Sequence, residues 1–205
     1  MDAFIIVDMQ NDFLPGGALA VPEGDAIIPL LNQLQEKFDL VVLTQDWHPP
    51  DHSSFASRHP GKKPLETIEL HGSQQILWPD HCVQDSRGAE LAAALETRRA
   101  EAFFRKGTDP KIDSYSAFYD NEHQRSTGLA GYLNERGVRR VAVGGLAAEF
   151  CVNYTALDAR KAGFETVLLT DATKPISSQD FEFAAGNLRN YGVNVVESTD
   201  YFQHR

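Results

Sequence analysis

Short runs of consecutive apolar residues recur along the chain and are separated by more polar segments. Such runs, bounded by turn residues, are typical of strands that are buried on both faces of a sheet. The pattern therefore predicts five or six buried strands. The runs lie at residues 4–7, 40–43, 102–104, 141–143, 166–169 and 193–196.

The segments between most of these runs have the period of a helix. Ile27, Leu31, Leu34 and Phe38 follow one another at spacings of four, three and four residues, so they share one helix face. Predicted capping and stop residues are Asp25 for the first helix, Ser177 or Ser178 for the last, and Gly163 and Gly192 at helix ends. Alternating strands and helices predict an α/β fold with three layers, a mainly parallel central sheet covered by helices on both faces.

Residues 47–82 depart from this alternation. The segment contains five prolines and five histidines, with only a brief alternation around Leu65, Ile68 and Leu70. Long irregular insertions in compact domains are typical of lids and binding loops. No linker-like boundary is visible, so we expect one domain over residues 1–205 with this insertion at about residues 47–82.

Composition and charge exclude several classes of partner. A chain of 205 residues with 42% apolar content is long enough for one sizeable core, and its formal charge of -10 disfavours nucleic acid and anionic membranes. No apolar run approaches the roughly 20 residues of a membrane span. The opening residues, MDAF, lack the basic start of a signal peptide. These features predict a soluble, cytoplasmic protein.

Three polar residues are placed at or just beyond the ends of predicted strands. Asp8 follows the first run, Lys106 follows the third, and Cys151 follows the fourth within a predicted helix over residues 149–162. In an open parallel sheet, ligands bind outside the carboxyl ends of the strands, so these side chains could meet at one rim. Taken singly, each has an ordinary structural interpretation as a core cysteine, a capping aspartate or a solvated lysine.

Cys151 has a second feature of a nucleophile. Its predicted position in the first turn of a helix, beside an ammonium group, favours the thiolate, and such surroundings lower the cysteine pKa from about 8.5 to roughly 3.5–7.5. An aspartate alongside could take the thiol proton and return it to a leaving amine. The chain has one other cysteine, Cys82, so a disulfide framework is not expected.

The irregular segment contains a candidate metal site. Asp46 and His48 point to the same face of an extended segment because side chains alternate there, and His81 supplies a third ligand. Two histidines and a carboxylate suit a divalent ion, with zinc, iron and manganese all open. Other histidines of the segment remain alternative or supporting ligands, with His52 the nearest in sequence, followed by His59 and His71.

Aromatic residues stand beside these candidate groups. Phe13, Trp78 and Tyr115 would suit stacking on a flat ring, although aromatic side chains are also ordinary core residues.

Five ordered motifs over residues 4–175 resemble those of the nicotinamidase branch of the isochorismatase-like hydrolases. They are DMQNDF at residues 8–13, QDWHP at 45–49, WPDHCVQ at 78–84, the lysine segment from 106 to 118, and the nucleophile segment from 145 to 159. The resemblance implies a triad of Asp8, Lys106 and Cys151, and one divalent metal ion, zinc ahead of iron and manganese, held by Asp46, His48 and His81. His52 is a further candidate for a fourth ligand or a supporting contact.

The resemblance also implies an activity. It implies hydrolysis of nicotinamide to nicotinate and ammonia through a cysteine thioester, with the ring held by Phe13, Trp78 and Tyr115, in the salvage of NAD. The alternative is a related amidohydrolase of carbamoyl or ureido substrates, which has less need of the metal ligands. A binding protein without activity would be expected to lose a triad residue, and ether cleavage by an isochorismatase needs no cysteine. Oligomeric state and action on other aromatic amides stay open.

One part of the resemblance concerns the backbone before the nucleophile. It implies an oxyanion hole made by the N–H groups of Ala148 and Cys151, with a cis peptide near Ala147–Ala148. The family usually has Ala-Thr-Asp-Tyr-Cys here, whereas this chain has Ala-Ala-Glu-Phe-Cys at residues 147–151. The departure bears on pocket shape, rate and substrate range more than on reaction type.

Overall fold

The computed structural model describes residues 1–203, and within them the six predicted strands form one parallel sheet. The strand order is β5-β2-β1-β6-β7-β8, and every neighbouring pair is parallel. The predicted fold class is confirmed. The strands are β1 Asp2–Val7, β2 Leu40–Asp46, β5 Ala100–Lys106, β6 Arg140–Gly145, β7 Glu165–Thr173 and β8 Asn194–Val196, and a separate hairpin contains β3 Thr67–Leu70 and β4 Ser73–Ile76.

Helices cover the sheet on both faces and produce two apolar layers. Alternate residues of β1 divide between them, because Phe4 and Ile6 pack in one layer while Ala3, Ile5 and Val7 pack in the other. The helices are α1 Ile28–Gln35, α2 Leu129–Glu135, α3 Asn153–Lys161, α4 Ser178–Asn190 and α5 Ser198–Gln203, and a π-helical turn, Ala148–Val152, leads into α3. None of the helices in residues 1–203 has the length and apolarity that a bilayer span requires.

The predicted helix ends are partly confirmed. Ser177 caps α4, since its hydroxyl accepts a hydrogen bond from the Asp180 N–H group at 3.3 Å. Asp25 does not cap α1; it lies within a 3₁₀ turn, Gly24–Ile27, that runs directly into that helix, so the helix entrance needs no side-chain cap there. The apolar spacing placed the helix correctly but did not reveal this turn.

The irregular segment is ordered as loops around a short hairpin. The alternation noted around Ile68 belongs to β3, which pairs antiparallel with β4. Two isolated bridges brace the segment: Phe55 pairs with Trp78 inside it, and His48 pairs with Val83, the residue that directly follows it. The expectation of a single domain over residues 1–205 remains a prediction, and the last two residues of that range lie outside the described residues.

Candidate active site

Four neighbouring strands deliver the candidate catalytic groups to one rim of the sheet. Asp46 and Lys106 are the final residues of β2 and β5 and are partners in register. Asp8 follows β1 directly, and Cys151 lies in the π-helical turn after β6. Since β5, β2, β1 and β6 are adjacent, the carboxyl ends of these strands bring together residues that are far apart in sequence.

Lys106 is the centre of the group. Its Nζ atom lies 2.8 Å from Asp8 Oδ2 and 2.9 Å from Asp46 Oδ1, and it donates to the Cys151 Sγ atom at 3.4 Å. A further bond to the Ser114 carbonyl oxygen, at 3.0 Å, holds the ammonium in place. The predicted triad therefore converges on one buried point.

The charges of this group stabilise one another. Burial works to lower the pKa of Lys106, but the carboxylates of Asp46 and Asp8 outweigh it and raise that pKa well above its ordinary value. Burial raises the pKa of Asp8, against the opposing charge of Lys106. The Asp8 carboxylate also accepts the Thr44 hydroxyl at 2.5 Å. A buried lysinium thus compensates two carboxylates that burial alone would disfavour.

The thiol does not behave as the sequence predicted. Burial raises the pKa of Cys151 well above its ordinary value, and the nearby Lys106 charge only opposes this effect. The side chain is nearly sealed, at 6% exposure, and faces negative charge from Asp8 and Asp46. The expectation of a lowered pKa is therefore wrong in direction. This environment favours the neutral thiol over the thiolate, beside a carboxylate that can take its proton.

The three predicted metal ligands also converge. Asp46, His48 and His81 each offer one ligand atom within a group whose atoms lie within 4.8 Å of one another, and all three side chains are buried. Asp46 Oδ2 lies 3.1 Å from His48 Nε2 and 3.4 Å from His81 Nε2. The donor set is one that could hold a divalent ion.

Backbone carbonyl groups orient both of these imidazoles. His48 Nδ1 donates to the Gly107 carbonyl oxygen at 2.9 Å, and His81 Nδ1 donates to that of Pro79 at 2.8 Å. Each ring therefore directs its Nε2 atom toward Asp46, the orientation that metal-binding histidines usually have. Gly107 has a packing reason as well, because a Cβ atom there would lie 2.5 Å from the His48 ring.

His52 is the one histidine of the alternative set that reaches the site. Its ring lies 4.3 Å from that of His48, and its buried Nε2 atom has no hydrogen-bond partner among the described residues. Burial lowers the pKa of His52 to about 4, so the ring is neutral at physiological pH. In contrast, His59 binds the Ser53 carbonyl oxygen and His71 is exposed on the hairpin turn.

Sequence reasoning missed the role of Gln10 in holding this rim. Its side chain is fully buried and binds both backbone groups of Asp46, donating to the carbonyl oxygen and accepting from the N–H group at 2.8 Å each. A third bond, to the Ala89 carbonyl oxygen, is 2.9 Å long. These contacts fix the backbone of a candidate metal ligand.

A pocket opens beside the thiol and the metal group. The predicted aromatic residues Phe13, Trp78 and Tyr115 all line it, together with Cys151. The Trp78 ring lies 5.0 Å from that of Phe150, a residue that sequence reasoning noted only as a family departure. Pocket residues that the sequence did not assign to the pocket are Leu19, Asp113, Ala147, Phe150 and Ile176.

In the backbone before the nucleophile, the cis peptide and the candidate oxyanion N–H group lie one residue earlier than expected. The cis peptide joins Leu146 to Ala147, one bond earlier than implied. The Ala148 N–H group donates to the Lys174 carbonyl oxygen at 2.9 Å, so the assignment of Ala148 as an oxyanion donor is corrected. Ala147 lines the pocket, and its N–H group makes no backbone hydrogen bond within residues 1–203.

Comparison with known proteins agrees with this geometry. Residues 2–200 match the isochorismatase domain family. A nicotinamidase of Acinetobacter baylyi is 53% identical over 174 residues, which cover 85% of this chain and 81% of that protein.

Solved structures show the same fold. That of the nicotinamidase/pyrazinamidase of Acinetobacter baumanii has a TM-score of 0.95 and 50% identity, covering 98% of this chain and 97% of its own. The pyrazinamidase of Pyrococcus horikoshii in complex with zinc has a TM-score of 0.79 and 42% identity, covering 96% of this chain and 98% of its own. This chain belongs to the isochorismatase family and, within it, to the nicotinamidases.

Proposed function

We infer that this protein is an amidohydrolase that converts nicotinamide to nicotinate and ammonia. The observation that carries this conclusion is the convergence of Asp8 and Lys106 with Cys151, which lines an aromatic pocket, in a chain 53% identical to a nicotinamidase. Aromatic walls suit stacking on a flat pyridine ring, and a ring held there would present its carboxamide carbon to the buried thiol.

In the proposed first half-reaction, Asp8 takes the proton of the Cys151 thiol as the sulfur attacks the amide carbon. Lys106 keeps the Asp8 carboxylate charged until that moment and then stabilises the anion that develops. The tetrahedral oxyanion accepts hydrogen bonds from the backbone N–H groups of Ala147 and Cys151, each donor contributing about 3 kcal/mol at the transition state. The second of these lies in the first turn of a helix, where N–H groups have no intrahelical partner.

The same carboxyl group completes the first half-reaction and then serves as the base of the second. Asp8 gives its proton to the departing nitrogen, and ammonia leaves. A water molecule then loses a proton to Asp8 and attacks the thioester carbon. Cleavage of the C–S bond releases nicotinate, and Asp8 returns the proton to the sulfur, which restores the thiol and the carboxylate. The raised pKa of Asp8 suits a group that must both accept and donate a proton.

We propose that Asp46, His48 and His81 hold one divalent ion, with zinc the first candidate because the Pyrococcus horikoshii relative was solved with zinc. The unpartnered Nε2 atom of His52 is consistent with a cation nearby. When bound, such an ion supplies a Lewis-acidic centre that orients the pyridine nitrogen. Three protein ligands leave coordination positions free for this role.

The test is ammonia release from nicotinamide by the purified protein, by the Cys151→Ala variant and by chelator-treated protein. We expect activity in the first, none in the second and a loss restored by zinc in the third. Full activity of Cys151→Ala contradicts the nucleophile. Cleavage of a ureido compound with nicotinamide untouched, in a protein without metal, would assign the related carbamoyl-directed activity instead.

A further inference from the structure

Glu149, two residues before the nucleophile, is a buried carboxylate with an unusual set of partners. Only 6% of the residue is exposed. Its Oε1 atom accepts the backbone N–H group of Ser177 at 2.7 Å, and its Oε2 atom accepts that of Ile176 at 3.2 Å. Both oxygens therefore bind consecutive amides of a segment that is distant in sequence, and the carboxylate is committed to that segment rather than to water.

This segment, residues 174–177, is the loop between β7 and α4. Its first residue is held from the same turn, since the Ala148 N–H group donates to the Lys174 carbonyl oxygen at 2.9 Å. The turn that carries Cys151 and the 174–177 loop are thus joined by three hydrogen bonds, two of them to one ionisable side chain. Charge-assisted bonds of this kind are about twice as strong as neutral ones.

The loop contributes a wall to the substrate pocket. Ile176 lines the pocket together with Phe150, Ala147 and Cys151, while 36% of its surface stays exposed. An aliphatic side chain on a loop would ordinarily be mobile. Here its own N–H group is one of the two that Glu149 binds, so its backbone is fixed relative to the nucleophile.

We propose that Glu149 is a positioning residue that fixes Ile176 as a wall of the pocket and thereby restricts the protein to amides on a single, unextended aromatic ring. The inference rests on the proposed nicotinamide hydrolysis and adds to it the residue pair that limits ring size. Glu149 itself touches neither substrate nor reacting atoms; it acts through the loop.

The ring-size limit is tested with nicotinamide and quinoline-3-carboxamide, which adds a fused ring to the edge remote from the carboxamide. For Ile176→Ala, we expect the ratio of kcat/KM values, fused-ring over nicotinamide, to rise by about tenfold or more, since removal of the side chain opens the wall. Ile176 is on a partly exposed loop, so this variant is expected to fold. An unchanged ratio overturns the assignment of Ile176.

The positioning role is tested with Glu149→Ala, which leaves both amides without their acceptor. We expect hydrogen exchange at the Ile176 and Ser177 amides to accelerate about tenfold or more. For nicotinamide, KM should rise about tenfold with kcat within about threefold, because the wall is displaced while the thiol and its base remain. Glu149→Asp should have a KM between those of Glu149→Ala and the wild-type protein. The control is Glu182→Ala, at an exposed glutamate on α4, which should leave both the kinetic constants and the exchange rates unchanged.

The outcomes separate this inference from the proposed function. A wild-type protein that leaves nicotinamide intact refutes the function, yet the exchange measurement still decides whether Glu149 holds the loop. Unchanged exchange in Glu149→Ala, or a fall in kcat with KM unaltered, overturns the positioning role. The double variant Glu149→Ala/Ile176→Ala supplies a further check, since its substrate ratio should match that of Ile176→Ala alone if both act through one wall.

Discussion

The ammonium group of Lys106 lies 2.8 Å from the carboxylate of Asp8, and the two side chains are 1% and 0% exposed. A buried ion pair of this kind adds little net stability compared with apolar packing, but removal of one partner leaves a buried charge without compensation. Lys106 compensates more buried charge than Asp8 does, because its ammonium group also lies 2.9 Å from the carboxylate of Asp46. The pair is therefore asymmetric, and its two halves should respond differently to substitution.

We expect Lys106→Met to lower the free energy of unfolding by about 3–5 kcal/mol, because it removes the ammonium group that compensates two buried carboxylates. Asp8→Asn should cost clearly less, since Lys106 keeps Asp46 as its partner. Activity should separate from stability, with Asp8→Asn losing about a thousandfold in kcat through the loss of the general base. Chemical denaturation and steady-state kinetics measure both quantities. Equal destabilisation by the two variants would contradict the asymmetry.

The resting state of Cys151 can be read from the pH dependence of its alkylation. Because burial raises the pKa of this thiol, the neutral form dominates at pH 7, and the thiolate fraction grows as pH increases toward the raised pKa. We expect the rate of inactivation by iodoacetamide to rise about tenfold per pH unit between about pH 7 and pH 9. The Cys151→Ala protein, followed by mass spectrometry, reports any labelling of Cys82. If the inactivation rate does not increase above pH 7, the thiol is already ionised there, and the lowered pKa expected from the sequence is correct.

The rim of the sheet was predictable because parallel strands bring their carboxyl ends together. Asp8, Lys106 and Asp46 each stand at or directly after a recognisable apolar run, so the strand pattern alone placed them near one another. His48 and His81 followed from ligand chemistry and from the family resemblance. The positions of these residues could be predicted because short sequence motifs specify them.

Other parts of the site depend on long-range packing and left no local signal. Ile176 reaches the pocket because Glu149 holds its loop, a contact between residues 27 positions apart. The correct oxyanion donor depends on which N–H group Lys174 already occupies, and Ala147 and Ala148 have identical side chains. The direction of the Cys151 pKa shift depends on burial, which outweighs Lys106 only once the surrounding layers are in place.

Metal binding should distinguish the three proposed ligands from His52. We expect about one equivalent of zinc per chain, and none in His81→Ala, because two remaining ligands hold the ion poorly. His52→Ala should still bind one equivalent of zinc, but with about 10–100-fold lower affinity, the usual effect of removing a group that supports the ligands. Elemental analysis and competition with a chelator measure these quantities, with the exposed His71→Ala as the control. Complete loss of metal in His52→Ala would make His52 a fourth ligand.

The support that Gln10 gives to Asp46 should be visible in metal affinity. Gln10→Leu keeps the volume but leaves the buried N–H and carbonyl groups of Asp46 unpaired, at a cost of about 1–3 kcal/mol per group. Gln35 offers a matched control, since it is equally buried and donates to the Glu96 carbonyl oxygen at 2.9 Å, away from the rim. We expect both leucine variants to lower the unfolding midpoint, but only Gln10→Leu to weaken zinc binding and raise KM for nicotinamide. If Gln35→Leu weakens zinc binding equally, the effect arises from general loss of stability, and Gln10 has no specific role in placing the Asp46 carboxylate.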